Sequence, residues 1–484
     1  MPAILLIVVV NECVRAAVSM LIYFQFKGKY QLVENGEDNV WGYQSPGGGN
    51  CRNVLFIAVY ENQIDGYRYR SKFSEEVINF VAPDGSRPYL KLKKIFTRAK
   101  GYYCWKEDET FDISRHVIIL PEDEVVTETD LFHLLEEKYS KDMDETMPQW
   151  QEIIIPRFQY DQYKGVLNGG NKNGKLQSAR ILRFHHSYGD AGSWLLLYSF
   201  CMAGGKIPYA VNPLKGYPVP AGLKFLYFVN AIIFSTTSAL KATWNGRHMN
   251  NRLVTPQYSG EKFYAWSEAL DLNILKEIKV KTKTSISIIL ASIVAGALRA
   301  YGQKYPHPEK KESFGDESYI GAVAAVLPYP NYNLRNRFTI FNFPVPTGDM
   351  TSSSRLKLTY NKGVEFAQSP EPIVNYLMFN FFGRLPIAIH NYVMRSCGTP
   401  IIFSNLPGAS ETFSLWDDAV AEGGAWVPLL TTAGLSIAAA GYKNNLRFCG
   451  VTDSACMRKS ELNFILYAIQ AEIEQLAEET VGSV

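Results

Sequence analysis

Apolar positions recur along this chain in both of the periods that mark regular structure. Near the carboxy terminus Leu462, Ile465, Leu466, Ile469, Ile473 and Leu476 fall at three- and four-residue intervals, the stripe of an amphipathic helix. Thr127-Glu128-Thr129-Asp130 has the form of a capping box, and Leu131, Leu134 and Leu135 after it share one face, so a helix is predicted there. A third helix is predicted from Ser285 to Tyr301, ended by Gly302. The period of two appears between Ser178 and His186: Leu182, Phe184 and His186 lie on one face of the predicted strand, Ile181, Arg183 and His185 on the other. The face that carries His186 is the more apolar. Ile153-Ile154-Ile155, ended by Pro156, and Phe263 to Trp266 read as shorter strands. Leu435-Ser436-Ile437 and Leu446-Arg447-Phe448 read as a hairpin around Asn444-Asn445. Asp190 opens the apolar run Trp194 to Leu197, which reads as a helix. Gln44 to Asn50 and Gly165 to Gly174 read as loops, and Gly204 to Pro220 as the approach to a long connection.

Helices and strands interleave, so the fold class is α/β. The 484 residues exceed a typical domain of about 100–200 residues, so two lobes are expected. We divide the chain into an amino-terminal hydrophobic segment and linker, residues 1–50, and two lobes, residues 51–250 and 251–484. With 47% hydrophobic residues and a formal net charge of +2, the composition excludes disorder and gives no electrostatic case for nucleic acid. The seven cysteines are scattered without metal-ligand spacing, and His133 stands alone on its helix. No metal site is predicted, and the thiols read as reduced and mostly buried.

The amino terminus changes the picture. Ala3 to Phe26 is apolar except for Asn11, Glu12, Arg15, Ser19 and Gln25. That length suits a bilayer, which needs about 20 apolar residues, although a central charge costs about 2.5–3.5 kcal/mol. Glu12 and Arg15 are three apart and can pair on a helix. No basic leader or cleavage site marks a signal peptide. The segment is expected to be a membrane anchor or interfacial helix, with a buried helix as the plain alternative. A second apolar stretch, Ala221 to Ala239, carries only Lys224.

The candidate chemistry lies in His185-His186-Ser187-Tyr188-Gly189-Asp190. A neutral imidazole can take a proton from a hydroxyl near neutral pH, provided that its tautomer and orientation are fixed. His186, on the inward face, fits that role; Asp190 can hold the turn, and Gly189 lets it tighten and leaves room for a ligand. By spacing alone a lone pair of histidines is more often structural than catalytic, and Asp190 can simply be a helix N-cap. The motifs of phosphate loops, dinucleotide folds, nucleophile elbows and zinc proteases are missing from the sequence.

His185 to Asp190 resembles the HHxxxDG motif of the wax ester synthase/diacylglycerol acyltransferase family. Phe111-Asp112 with His116, Pro148-Gln149-Trp150, Ser404-Asn405-Leu406-Pro407-Gly408, Trp426-Val427-Pro428, Tyr442 and Asp453 are similar to further motifs of that family, in order. The resemblance runs from about Leu90 to the end. It implies two chloramphenicol-acetyltransferase-like lobes with a substrate tunnel between them. The implied reaction moves a long-chain acyl group from acyl-CoA, a co-substrate with no further cofactor, to a lipid alcohol acceptor, either diacylglycerol or a fatty alcohol. By the same resemblance His186 is the general base, His185 its supporting neighbour, and Asp190 a loop-fixing residue held through an arginine. Gly189, Ser404, Asn405, Pro407 and Gly408 would border the substrate, with Ser404 and Asn405 near the acyl carbonyl. A membrane surface is the implied partner, at the endoplasmic reticulum or a lipid droplet, with the catalytic lobes in the cytosol.

The chain departs from the family at two places. Ala191 replaces the glycine after the aspartate; it is strained if that position needs positive φ and harmless if it opens a helix. Ile286-Ser287 replaces a common Asn-Asp pair. Both leave room for an alternative, a catalytically silent lipid-binding or scaffold protein of the same fold. A third reading is a soluble acyltransferase acting on a small polar acceptor.

Overall fold

A computed structural model describes residues 2–44, 52–161, 175–215, 257–306, 314–396 and 398–482, together with single positions between 222 and 254. The predicted loops at 44–50, apart from Gln44, and at 165–174, most of Ala221 to Ala239, and Cys51 and Cys397 lie outside the described residues.

Among the described residues, two seven-stranded sheets form the two lobes. In the first, Gln177–His185 runs antiparallel between Asn53–Tyr60 and Trp150–Gln159, and Val117–Ile119 lies beyond the latter. Both faces of Gln177–His185 are buried. Leu182 and Phe184 pack with Trp194, Leu197 and Tyr198, while Ile181 packs with Leu131 and Leu135 on the other side. The strand phase read from the sequence therefore separates two cores. In the second lobe Ile401–Leu406 lies parallel to both Glu317–Ala325 and Leu435–Tyr442. The helices Ile286–Lys304 and Lys459–Thr480 cover that sheet, and the predicted stripe from Leu462 to Leu476 is buried throughout.

The lobes share a strand. Asp418–Trp426, from the carboxy-terminal half, pairs antiparallel with Asn53–Tyr60 and so extends the first sheet. A smaller sheet, Tyr30–Leu32 with Tyr102–Glu107 and Lys94–Ala99, joins the amino-terminal segment to the first lobe.

Three local expectations shift. Pro156 does not end its strand: Trp150–Gln159 continues past it, with a register break between Ile155 and Phe158. A bulge accommodates a residue that cannot donate to the ladder. The hairpin turns at Lys443-Asn444, one residue earlier than expected, because Tyr442 pairs with Asn445 and Lys443 takes the left-handed φ of 56°. The helix expected to stop at Gly302 runs on to Lys304. The Thr127–Asp130 capping box forms as predicted, with the Thr127 side chain accepting from Asp130 N and the Asp130 carboxylate accepting from Thr127 N.

The amino-terminal segment is a helix, Pro2–Gln25, with its amphipathicity turned inside out. Asn11, Glu12 and Arg15 face the protein. Arg15 is buried and donates to Val33 O at 2.9 Å and Arg384 O at 3.1 Å. Glu12 pairs with the Arg384 guanidinium as well as with Arg15. Leu6, Ile7, Val9, Val10, Met20, Leu21, Tyr23 and Phe24 are each more than half exposed.

Candidate active site

The Gln177–His185 strand ends at the first histidine. His186–Tyr188 forms one 3-10 turn, Gly189 follows, and Asp190 caps the helix Ala191–Met202. The turn is pinned from several directions. The Tyr188 hydroxyl donates to Lys94 O and accepts from Gln149 N. Ser187 Oγ donates to Asp38 O at 2.7 Å. Gly189 leaves no room for a side chain, since a Cβ would come within 2.5 Å of Ser193 Oγ and 3.1 Å of Leu334. Its role is close packing inside the protein; the ligand space expected beside it is taken by those two residues, and it lies off the cavity wall described below.

The two histidines divide as the strand phase predicted. His185 points away from the inter-lobe space, and its Nδ1 accepts from Ser187 N at 3.2 Å. Burial holds its pKa well below the usual imidazole value. It supports the turn and does not line the cavity that His186 faces.

His186 lies in a tightly specified setting. Its ring stacks on Trp41, centroids 3.8 Å apart and planes 4° from parallel. Its Nδ1 is 2.9 Å from Asn336 Oδ1. Asn336 Nδ2 points the other way, to Asp38 Oδ1 and His186 O, both at 2.7 Å. Those two partners can only accept, so the Asn336 amide has one sensible orientation, oxygen towards the ring. His186 Nδ1 therefore carries the proton. Nε2 keeps its lone pair and has no hydrogen-bond partner among the described residues. Burial lowers the pKa of His186 to about 4, against the pull of its own carbonyl and Asn336, so the ring is neutral near pH 7.

Asp190 is held without an arginine side chain. Its Oδ2 accepts from the Arg337 backbone N–H at 2.7 Å and the Tyr329 hydroxyl at 2.8 Å, and its Oδ1 from Ser193 N at 3.0 Å. The expected guanidinium partner is thus replaced by a main-chain donor of an arginine and a tyrosine. Burial raises the Asp190 pKa to about 6 despite these bonds. Ala191 is the first helical residue and lacks positive φ, so the departure from the family glycine is harmless. Gly192 does the packing instead: a Cβ there would come within 2.7 Å of the Tyr329 ring.

A largely apolar cavity lies between the lobes. His186, Ser404, Asn405, Pro407 and Gly408 all line it, so residues as far as 222 positions apart, His186 and Gly408, border one space. Trp41, Phe56, Trp194, Leu195, Phe338 and Val420 supply apolar surface, and the buried pair Arg180–Glu152, 3.2 Å apart, lies at its margin through Arg180. Asn405 Nδ2 donates to Ser287 Oγ at 3.2 Å. The segment that departs from the family pair thus still joins the site, and Ser285 still caps its helix. Trp150 is fully buried, stacks on His116, and donates to Leu92 O at 2.8 Å, a packing role.

Sequence reasoning did not find Trp41, Asp38, Lys91 or Asn336. The first two lie in the short turns Gly36–Asn39 and Val40–Gly42, inside the segment read as a linker. They carry no motif and too few residues for a periodicity signal.

Residues 334–476 match the family profile described as the WS/DGAT C-terminal domain. Comparison with curated proteins finds no match. Among solved structures, the chain is similar to a wax ester synthase/diacylglycerol acyltransferase from Marinobacter aquaeolei VT8, at 16% identity and a TM-score of 0.56, over 91% of this chain and 98% of that one. It is similar to a trichothecene 15-O-acetyltransferase from Fusarium sporotrichioides at 11% identity and a TM-score of 0.60, over 93% and 96%. It is also similar to an NRPS cyclization-docking bidomain from Sorangium cellulosum at 11% identity and a TM-score of 0.53, over 93% and 85%. At such identities these likenesses show the fold. The resemblance read from the sequence is therefore borne out: residues 334–476 match the WS/DGAT C-terminal domain, and the chain has the two-lobed chloramphenicol-acetyltransferase-like fold.

Proposed function

We propose that this protein is an O-acyltransferase that moves a long-chain acyl group from acyl-CoA to the hydroxyl of diacylglycerol or a fatty alcohol. The observation that carries the reading is His186: neutral, fixed with its proton on Nδ1, and set on the wall of an apolar cavity that Ser404 and Asn405 also line. Nε2 takes the hydroxyl proton as the alcohol oxygen attacks the thioester carbonyl. The C–O bond forms, the tetrahedral intermediate collapses, the C–S bond breaks, and the imidazolium returns its proton to the departing thiolate. Ser404 and Asn405 are the candidates for polar contact with the developing oxyanion. No acyl-enzyme is required. The silent-scaffold alternative loses one of its two supports, because Ala191 opens a helix. Purified protein given labelled acyl-CoA with diacylglycerol or hexadecanol is expected to form triacylglycerol or wax ester. Lipid binding with no ester from either alcohol would favour the scaffold.

The same reading places the protein on a lipid surface, such as the endoplasmic reticulum or a lipid droplet, with the lobes in the cytosol. Support comes from the Pro2–Gln25 helix, whose polar stripe is clamped to the protein by Arg384 while its apolar face points outward. A helix held to the protein at Asn11, Glu12 and Arg15, with its apolar face outward, suits the interface plane. The triple variant Leu6→Gln, Val10→Gln, Leu21→Gln is expected to lose flotation with phosphatidylcholine vesicles while keeping turnover of a detergent-dispersed alcohol. Undiminished flotation would count against this helix as the membrane contact.

A further inference from the structure

The amino-terminal segment supplies part of the apparatus that sets the histidine. We propose that Asn336 and Asp38 are positioning residues that hold His186 as its Nδ1–H tautomer. The inference rests on His186 as the reacting base and extends it to groups outside the HHxxxD motif.

The arrangement is a chain of four side chains: Lys91, Asp38, Asn336 and His186. Lys91 Nζ donates to Asp38 Oδ2 at 3.0 Å, and its remaining protons reach Ser187 O at 3.1 Å and Leu334 O at 3.0 Å. The ammonium is thereby fully matched to three acceptors, one a carboxylate. Asp38, 3% exposed, uses its other oxygen to accept twice from Asn336, from the backbone N at 2.9 Å and from Nδ2 at 2.7 Å. The same oxygen also accepts from Asn35 Nδ2 at 3.1 Å, and as a pure acceptor it leaves the Asn336 side chain a single orientation. Its Oδ1 then faces His186 Nδ1, and the lone pair is left on Nε2, as a base at the cavity requires. The Asp38 charge acts one residue removed from the ring, through the Asn336 amide, and favours the imidazolium that forms as the alcohol loses its proton. Trp41, three residues after Asp38, stacks on the same ring and limits its rotation. Three segments distant in the sequence thus set one tautomer: residues 38–41, Lys91, and Asn336.

Substitution can break the chain. In Asp38→Asn the single amide oxygen can serve Lys91 or the donors of Asn336 but not both, and an NH2 group turned to Asn336 meets its backbone N–H as well as Nδ2. Asn336 then loses its fixed orientation, and both tautomers of His186 become populated. Asn336→Ala removes the acceptor and leaves the Lys91–Asp38 pair intact, so it is the milder change to the fold.

The test uses full-length protein labelled with 15N-histidine, with thermal unfolding as the check on folding. In wild type the His186 imidazole is expected to show a protonated Nδ1 and an unprotonated Nε2. In Asp38→Asn and in Asn336→Ala the assignment is expected to become mixed. With acyl-CoA and hexadecanol, kcat is expected to fall about 10²-fold or more in both variants with KM nearly unchanged, within the range a positioned base contributes. Retention of the Nδ1–H tautomer and of kcat in a folded Asn336→Ala variant would overturn the proposal. Should wild type form no ester, the acyl-transfer reading fails, and the nitrogen assignments alone still decide whether these residues set the tautomer.

Discussion

Replacing His186 by alanine is expected to lower ester formation by about 10³-fold, the middle of the range that a positioned general base contributes. The fold is expected to survive. Truncation removes the stacking surface of Trp41 and leaves Asn336 Oδ1 without its donor, a combined cost of about 1–3 kcal/mol. The core beneath, built on Leu182, Phe184, Trp194 and Tyr188, is untouched. Kinetics and thermal unfolding on one preparation separate the two effects. A folded variant that retains most of its activity would remove His186 from the chemistry.

The second large effect is on stability in acid. Burial holds His116, His186 and His390 at pKa values of about 4, against about 6.5 in an unfolded chain. A folded value below the unfolded one means stability that is present above pH about 6.5 and lost as the pH falls towards about 4. Each histidine then contributes a loss of about 3 kcal/mol by the end of that range. Asp190 works in the opposite sense. Its folded pKa of about 6 lies above the usual carboxylate value, so its protonation below pH about 6 stabilises the fold and offsets roughly one histidine. The remaining loss, about 6 kcal/mol, is large against a typical total of about 5–15 kcal/mol. Denaturant unfolding between pH about 7.5 and 4.5 is expected to show a steep fall in stability. His390→Gln, far from the cavity in the sequence of contacts around Tyr103, is expected to flatten that fall by one histidine's share. A flat profile would show that the buried rings are not held neutral.

What the sequence made legible follows from where the signals were local. The phase of Gln177–His185 could be read from alternation, because each face of that strand enters a separate apolar core. The capping box at Thr127 and the stripe from Leu462 to Leu476 depend on spacings of three and four residues, and both appear as expected. The gathering of Ser404, Asn405, Pro407 and Gly408 with His186 came through the family motifs, since no spacing could bring strands so distant to one cavity.

The rest was hidden for physical reasons. Asn336 and Asp38 are ordinary polar residues in short irregular segments, and only the fold makes them neighbours of the ring. The partner of Asp190 is a backbone N–H, which every residue but proline owns, so a search among arginine side chains could not find it. Composition showed that the first helix is apolar; which face it turns to the protein depends on Arg384, a residue more than 350 positions later. Pro156 marked a strand end by rule, and the neighbouring strands overrode that rule with a bulge.

The central claim is direct transfer between two substrates in the inter-lobe cavity. The measurement that reaches it most directly follows free thiol release and ester formation together, in wild type, with long-chain acyl-CoA and hexadecanol. The account predicts one ester for each thiol released, and no thiol released when the alcohol is left out. Thiol release that proceeds equally without alcohol, or no release of thiol with any long-chain alcohol or diacylglycerol, would contradict it.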